Sequence, residues 1–248
     1  MEHINFTYIE KELIPANRLG EGHDAICYKN DKNRVYKIFK NKKIINEMTV
    51  KTILNGDREL FSSLSNDSVH TPDLLVFDDS KRIVGYSYPY VSGTVISQMS
   101  EDITVSQLFE NYDKLLGDID KISEKGFYIK GIHRDNILFD ENNTFHIIDL
   151  DNGCFWSPEQ KRILYPSNCQ HISRTIIKNI FGKGSTENLE FKDESLTQLC
   201  GSVYSGDTKT IKGFIDYVGE KYCDEEDPKI ITLRKRVELK TKIRNPFF

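Results

Sequence analysis

The spacing of apolar residues predicts strands in the first part of the chain and helices in most of the remainder. Residues 34–40 alternate between apolar and polar and are rich in β-branched and aromatic side chains, as is typical of a half-buried strand. Residues 72–90 contain two further extended runs joined by a polar turn. We therefore expect residues 6–40 to be rich in β-structure and two neighbouring strands to follow within 72–90.

Several other segments repeat their apolar residues every three or four positions, which is the helical period. The strongest is 104–125, and Gly126 is placed to end that helix as its C′ residue. An amphipathic helix is predicted over residues 41–54, and a short second helix starts at Arg58. After residue 151 the pattern predicts further helices over 168–181, 193–204, 207–222 and 228–243.

The middle of the chain combines a predicted hairpin with polar residues at its ends. Residues 136–140 and 146–151 each contain a short apolar run, and the polar residues 141–143 separate them. This arrangement predicts two strands joined by a tight turn, with Asn136 and Asp149 at corresponding ends of the hairpin. An amide oxygen and a carboxylate that face one point suit Mg²⁺. The sequence therefore predicts a magnesium site formed by Asn136 and Asp149.

Two closely spaced glycines, Gly20 and Gly22, lie between the first extended segments. Because glycine has no Cβ, backbone N–H groups in such a turn approach phosphate oxygens closely. Lys37 follows on the neighbouring predicted strand and would bring a positive charge to the same phosphates. The glycines alone also fit an ordinary hairpin, and it is the lysine at this spacing that favours phosphate binding.

Composition narrows the class of protein. With 248 residues, of which 38% are hydrophobic and 29% charged, the chain can bury a core as one domain or as two closely packed lobes. The net charge of −4 gives no general case for nucleic-acid binding. The five cysteines are scattered without a C-x-x-C pair, which favours neither a zinc site nor a disulfide framework and fits a reducing compartment.

The chain also lacks sequence signals for membranes and secretion. No apolar run approaches the roughly 20 residues needed to cross a bilayer, and the first residues show no signal-peptide pattern. We therefore expect a cytoplasmic protein with neither a membrane nor a nucleic acid as partner.

In chain order, these features resemble the protein kinase-like superfamily. The glycine turn with Lys37 resembles the Gly-rich loop and strand lysine of kinases, and the run Asn-Ile-Leu-Phe-Asp at 136–140 with Asp149 resembles their catalytic and metal-binding loops. The loop is also similar to that of aminoglycoside phosphotransferase-like kinases. The resemblance covers about residues 15–152 and implies a divergent member with an α+β, bilobal fold. Residues 1–91 would form a β-rich N-lobe, and residues 92–248 a mainly helical C-lobe.

The resemblance also implies ATP and Mg²⁺ as cofactors, bound between the lobes. In that arrangement Lys37 contacts the α- and β-phosphates. A glutamate is expected to hold Lys37, and Glu47 is preferred because its helix is the better predicted one, with Glu59 as the alternative. Tyr90 lies in the segment 88–93, after the predicted strands, and would present backbone groups to the adenine.

The triplet at 133–135 has the letters of the kinase catalytic triplet, His-Arg-Asp, but the spacing favours another alignment. When residues 136–140 are aligned with the family's N-I-L-x-D, Asp149 falls at the family's distance from the asparagine. The position of the catalytic base, five residues before Asn136, is then Gly131. Since glycine accepts no proton, His133 or Asp135 would have to contact the acceptor in any phosphoryl transfer.

These residues predict nucleotide and magnesium binding more firmly than they predict catalysis. The leading hypothesis is a phosphotransferase with a degenerate catalytic loop, acting on an unknown protein or small-molecule acceptor. Gly131 favours the alternative of a catalytically dead pseudokinase that serves as a binding or scaffold module. A nucleotidyl transferase is the third hypothesis. The C-terminal part contains no A-P-E sequence, which leans away from kinases that dock peptides.

Overall fold

The structure is a computed structural model that describes residues 2–40, 58–100, 102–181, 192–202, 208–223 and 226–236. Its strands are β1 (Glu2–Asn5), β2 (Arg18–Glu21), β3 (Ala25–Lys29), β4 (Arg34–Phe39), β5 (Leu74–Phe77), β6 (Ile83–Pro89), β7 (Thr94–Val95), β8 (Phe127–Tyr128), β9 (Ile137–Phe139), β10 (Phe145–Ile147) and β11 (Cys154–Phe155). Its helices are α1 (Phe6–Ile9), α2 (Arg58–Ser62), α3 (Val105–Phe109), α4 (Tyr112–Glu124), α5 (Lys161–Phe181), α6 (Glu194–Ser202), α7 (Thr208–Cys223) and α8 (Ile230–Arg236).

Among the described residues, six strands form one mixed sheet in the order β1-β5-β6-β4-β3-β2. The strands from β2 to β6 pair antiparallel with their neighbours, whereas β1 pairs parallel with β5. The two strands predicted within 72–90 are confirmed as β5 and β6. Their polar turn is closed by Asp78, whose Oδ1 accepts the N–H groups of Ser80 and Arg82.

The alternation of the strands gives the sheet two buried faces. Val35 and Tyr86 belong to the face that joins the main hydrophobic core. Tyr36 and Val76 point the other way and form a second cluster with Ile9 of α1. A short helix within the predicted β-rich region therefore covers the back of the sheet, so residues 6–40 are not β-structure throughout.

The prediction of one long helix over 104–125 is wrong in one respect, because the segment forms two helices, α3 and α4. Thr104 caps α3, and Gln107 closes a capping box with it. Gly126 follows α4 with a φ of 79°, which confirms it as the residue that ends the helical segment. The apolar stripe of α4 is buried in the main core, as the periodicity predicts.

The predicted hairpin is confirmed as β9 and β10, which pair antiparallel with Ile137 opposite Ile147. Its turn is closed by Asp140, whose Oδ1 accepts the N–H groups of Asn142 and Thr144. β7 pairs with the outer side of β9.

The C-terminal helices agree with the sequence in kind but differ in length. α5 begins at Lys161, earlier than predicted, with Pro166 inside it. α6 and α7 lie close to the predicted ranges, and α8 matches the start of the last one, whose remainder from 237 lies outside the described residues. The predicted helix 41–54 also lies outside them. The α+β class is confirmed, and no helix in the described ranges has the length and apolarity to span a membrane.

Candidate functional site

A row of paired residues crosses the sheet and places Lys37 beside Tyr86. Gly20 lies opposite Cys27, Cys27 opposite Lys37, and Lys37 opposite Tyr86. Side chains of residues that lie directly opposite each other emerge on the same face of a sheet. The lysine and the tyrosine therefore leave the sheet together, on the face that joins the main core.

Asp149 reaches this pair from the end of the hairpin. Lys37 Nζ forms an ion pair with Asp149 Oδ1, and the Tyr86 hydroxyl donates a hydrogen bond to the same oxygen at 2.9 Å. The ammonium also lies 5.5 Å from the centre of the Tyr86 ring. Only 13% of the Lys37 side chain and 27% of the Asp149 side chain are exposed. The electrostatic attraction is consequently stronger than it would be on the open surface.

The backbone of Asp149 adopts the left-handed conformation, with φ of 61° and ψ of 50°. For a residue with a side chain this conformation is strained, at a cost of roughly 1–3 kcal/mol. The residue is held there between β10 and Leu150, which is buried in the main core. Strain of this kind concentrates at functional sites.

Asn136 lies at the same end of the hairpin as Asp149. It precedes β9, and its backbone carbonyl accepts the N–H of Ile148 at 2.9 Å. The sequence expectation that residues 136 and 149 bracket the hairpin therefore agrees with the structure.

The donor set at this end of the hairpin suits magnesium better than zinc. Within the described ranges, no three or more His, Cys, Asp and Glu side chains are grouped to hold a metal ion. One carboxylate and one amide are hard oxygen donors, and Mg²⁺ is commonly bound by few protein ligands together with waters and substrate phosphates. Asn136 and Asp149 are one donor of each kind, located at the same end of the hairpin.

The side chains of His133 and Asp135 contact each other, and Asp135 also contacts a residue outside the loop. His133 Nδ1 lies 3.1 Å from Asp135 Oδ2, and Asp135 Oδ1 accepts a hydrogen bond from Ser97 Oγ at 2.5 Å. Both side chains are more than half exposed, at 64% and 54%. Gly131, just before them, has a φ of 71° and open space where a Cβ would lie. The loop therefore presents a histidine and a carboxylate to solvent and no side chain at the predicted base position.

The predicted phosphate turn is built as a tight turn between β2 and β3. The N–H of Gly22 donates to the Ala25 carbonyl at 2.9 Å, and the Gly22 carbonyl accepts from Lys40 Nζ at 2.9 Å. Gly20 lies in β2 with open space beside it. The N–H of Gly22 is thus used to close the turn, whereas Gly20 stands in the same row as Lys37.

The segment predicted to face adenine follows β6. The N–H of Tyr90 donates to the Asn33 carbonyl at 2.8 Å, so it is engaged within the sheet. Lys29 Nζ lies 3.7 Å from the centre of the Tyr90 ring. Tyr90 also lines an open cleft of about 430 Å³, with Met99 and Phe139 among the other lining residues. Of the two glutamates considered for Lys37, Glu47 lies outside the described residues and Glu59 is exposed on α2.

Asn168 is a supporting residue that the sequence motifs did not reveal. It is fully buried on α5, where its Oδ1 accepts the N–H of Ile129 at 2.8 Å and its Nδ2 donates to the Phe127 carbonyl at 3.0 Å and to Ser123 Oγ at 2.9 Å. These bonds attach β8 and the start of the 129–133 loop to α5. A signal was available, since Asn168 is four residues before Ile172 on the apolar stripe.

Two histidines attach the hairpin to the segment that precedes β5. His146 of β10 has Nε2 at 3.1 Å from Asp140 Oδ2 and Nδ1 at 3.1 Å from His70 Nε2. Burial, reinforced by the nearby His146, lowers the pKa of His70 to about 4. Burial acts to raise the pKa of Asp140, but hydrogen bonds from the Thr144 N–H and His146 outweigh it and hold that pKa below its ordinary value.

No protein-family model matches this chain, and a search among curated proteins gives no match. What the protein does is therefore inferred from the chemistry of the residues that meet at the end of the hairpin. These are Lys37, Tyr86 and Asp149, and Asn136 lies at the same end of the hairpin.

Proposed function

We propose that the protein binds ATP with Mg²⁺ in the manner of a protein kinase-like domain. The contact between Lys37 of the sheet and Asp149 of the hairpin is the observation that carries the proposal. An ammonium group suits phosphate oxygens, and a carboxylate suits the metal that neutralises those phosphates. Because the two groups already pair with each other, a phosphate and its metal would give each charge a new partner of the required sign.

The distribution of elements supports a bilobal arrangement around this contact. Apart from α1 and α2, the described elements up to residue 90 are strands of the large sheet and short 3₁₀ turns, which suits an N-lobe over residues 1–91. The longer helices α4, α5 and α7 and the hairpin all follow, which suits a C-lobe over residues 92–248. The nucleotide would then lie between the sheet and the hairpin.

In this proposal the chain contributes mainly charge and position. Lys37 contacts the phosphates, and Asn136 and Asp149 hold the magnesium ion, which when bound neutralises charge on the phosphoryl group. Since phosphoryl transfer depends on positioning and charge stabilisation more than on a base, Gly131 weakens but does not abolish the case for a phosphotransferase. His133 and Asp135, exposed on the same loop, are the groups available to a protein or small-molecule acceptor.

A pseudokinase is the second candidate, and the 131–135 loop favours it. Gly131 has no side chain, and the Asp135 carboxylate already contacts Ser97 and His133, so an acceptor would have to replace these contacts. Such a protein would bind the nucleotide and act as a binding or scaffold module without turning it over.

Thermal unfolding with ATP tests the binding step. We expect ATP with Mg²⁺ to raise the melting temperature of the unaltered chain, ATP with a chelator to raise it less, and Lys37→Met to remove most of the shift. Lys32→Met is the matched control, because Lys32 is an exposed lysine in the turn between β3 and β4. Equal melting temperatures with and without ATP and Mg²⁺ would contradict the proposal.

Mass spectrometry after incubation with ATP separates the catalytic alternatives. Added phosphoryl groups on the chain or on supplied acceptors indicate a phosphotransferase, and an added adenylyl group indicates nucleotidyl transfer. Binding of ATP without any product selects the pseudokinase.

A further inference from the structure

We infer that Tyr86 is a positioning residue for the Asp149 carboxylate and determines which of its oxygens faces the metal. The inference rests on the proposed function and extends it to a residue that no motif identifies. Its basis is the 2.9 Å hydrogen bond from the Tyr86 hydroxyl to Asp149 Oδ1.

The phenol is rigidly placed. Tyr86 is 1% exposed, pairs with Lys37 on one side and Leu75 on the other, and packs edge-on against Phe39 with ring centres 5.7 Å apart. The position of the hydroxyl is therefore determined by the sheet and not by a mobile side chain. A buried hydroxyl without an acceptor is destabilising, because it has lost its hydrogen bonds to water and gained none in the protein. This favours continued contact between the Tyr86 hydroxyl and Asp149.

Both described donors to the carboxylate use the same oxygen. Lys37 Nζ and the Tyr86 hydroxyl both donate hydrogen bonds to Asp149 Oδ1. Oδ2 is consequently the oxygen that would remain for a bound Mg²⁺ ion. If Lys37 contacted the phosphates of a bound nucleotide, the uncharged phenol would keep its bond to Oδ1 and restrict rotation of the carboxylate.

A tyrosine suits this task better than a second cation would. A cation at this place would compete with the magnesium ion for the negative charge of Asp149, whereas a neutral hydroxyl orients the carboxylate without cancelling its charge. Removing a group that hydrogen-bonds to a metal ligand and orients it typically lowers metal affinity by about 10–100-fold.

The test compares Tyr86→Phe with Tyr36→Phe. Tyr36 is also buried, but it lies on β4 next to Lys37 and points to the opposite face of the sheet. Both variants are made in a Gly117→Ala background, because an added Cβ there meets nothing within 4 Å and alanine stabilises a helix, which offsets a loss of folding stability.

The measurement is the Mg²⁺ concentration that gives half-maximal ATP binding, determined by calorimetry at fixed ATP. We expect Tyr86→Phe to raise this concentration about tenfold or more, Tyr36→Phe to leave it unchanged, and ATP binding in a chelator to be the same for both. A merely structural role would lower the melting temperature without changing the magnesium requirement. In an Asp149→Asn background, the Tyr86→Phe effect is expected to disappear, because the phenol acts through that carboxylate.

Two results would overturn the inference, and they differ. If the background protein with Tyr86 intact binds ATP with no dependence on Mg²⁺, the proposed function fails and this inference with it. If that protein depends on Mg²⁺ and Tyr86→Phe shows the same requirement, the proposed function stands and Tyr86 is only a core residue.

Discussion

Lys37 and Asp149 are 112 positions apart in the chain and form one ion pair between the sheet and the end of the β9–β10 hairpin. Both side chains are largely withdrawn from solvent, and Tyr86 contributes a hydrogen bond to the same carboxylate oxygen. Charges in such a setting cost free energy to desolvate, so the pair is weak evidence for stability. The proposed ATP and Mg²⁺ would each give one member of the pair a new partner of opposite charge.

Gly131→Asp is expected to increase phosphoryl transfer if the loop alignment is correct. The glycine has φ of 71° and no atom near a built Cβ, so an aspartate fits, at a backbone cost of roughly 1–2 kcal/mol. A positioned base contributes about 10²–10⁴-fold, and part of that factor should appear as a higher rate of ADP production. Gly131→Asn is the control, since an amide has a similar shape but accepts no proton. Equal rates for the two variants would place the base elsewhere.

Gly85→Ala is expected to destabilise the sheet beside the site. A Cβ at Gly85 would lie 2.4 Å from the Lys37 carbonyl oxygen and 2.9 Å from Ile38 Cδ1, so β4 and β6 would have to separate. We expect a loss of about 1–3 kcal/mol in the free energy of unfolding, measured with urea. Gly117→Ala, in the middle of α4 with open space around it, should instead add up to about 1 kcal/mol. If Gly85→Ala left the free energy of unfolding unchanged, the two strands would not be in close contact at this position.

Asn168→Ala is expected to be among the more destabilising polar substitutions in the chain. It removes the partners of the Ile129 N–H and the Phe127 carbonyl in a buried setting. Each buried group left unsatisfied costs about 1–3 kcal/mol, so the loss in urea unfolding should exceed that of an ordinary surface change. Ser167→Ala is the control, because that hydroxyl bonds back to the Ile163 carbonyl of its own helix. Similar losses for both would mean that water replaces the amide.

The stability of the protein is expected to fall as the pH drops from about 6.5 to 4. His70 has a pKa of about 4 when folded and 6.5 as a free side chain. Below pH 6.5 the unfolded chain therefore binds a proton that the folded chain does not, which favours unfolding. The loss reaches at most about 3 kcal/mol for His70 and levels off below pH 4.

Urea unfolding between pH 7.5 and 4.5 measures this dependence. His70→Gln should reduce the slope relative to the unaltered chain, which isolates the histidine from the carboxylates that titrate nearby. His23→Gln should leave the slope unchanged, because 95% of the His23 side chain is exposed. Identical slopes in all three proteins would mean that the pKa of His70 is the same in the folded and unfolded chain.

Local patterns along the chain were sufficient to predict many of the secondary-structure elements and turns of this protein. Alternation predicted β5 and β6, the polar turn predicted the β9–β10 hairpin, and Gly126 marked the end of α4. Asn136 and Asp149 were expected at one end of the hairpin for the same reason, since pairing across a short turn follows from neighbouring residues alone. These features depend on interactions between positions that are close in sequence. The spacing of apolar and polar residues therefore predicts such features directly.

Other features were decided only by the tertiary structure. The parallel pairing of β1 with β5 and the bonds of Asn168 depend on groups supplied by distant segments. Alternation indicates that Tyr86 points into the core, but a one-dimensional pattern carries no information about which carboxylate its hydroxyl meets. The charges of Lys37 and Asp149 could be read from the sequence, whereas the ion pair between them and the hydrogen bond from Tyr86 depend on the tertiary structure, which brings the end of the hairpin to the sheet.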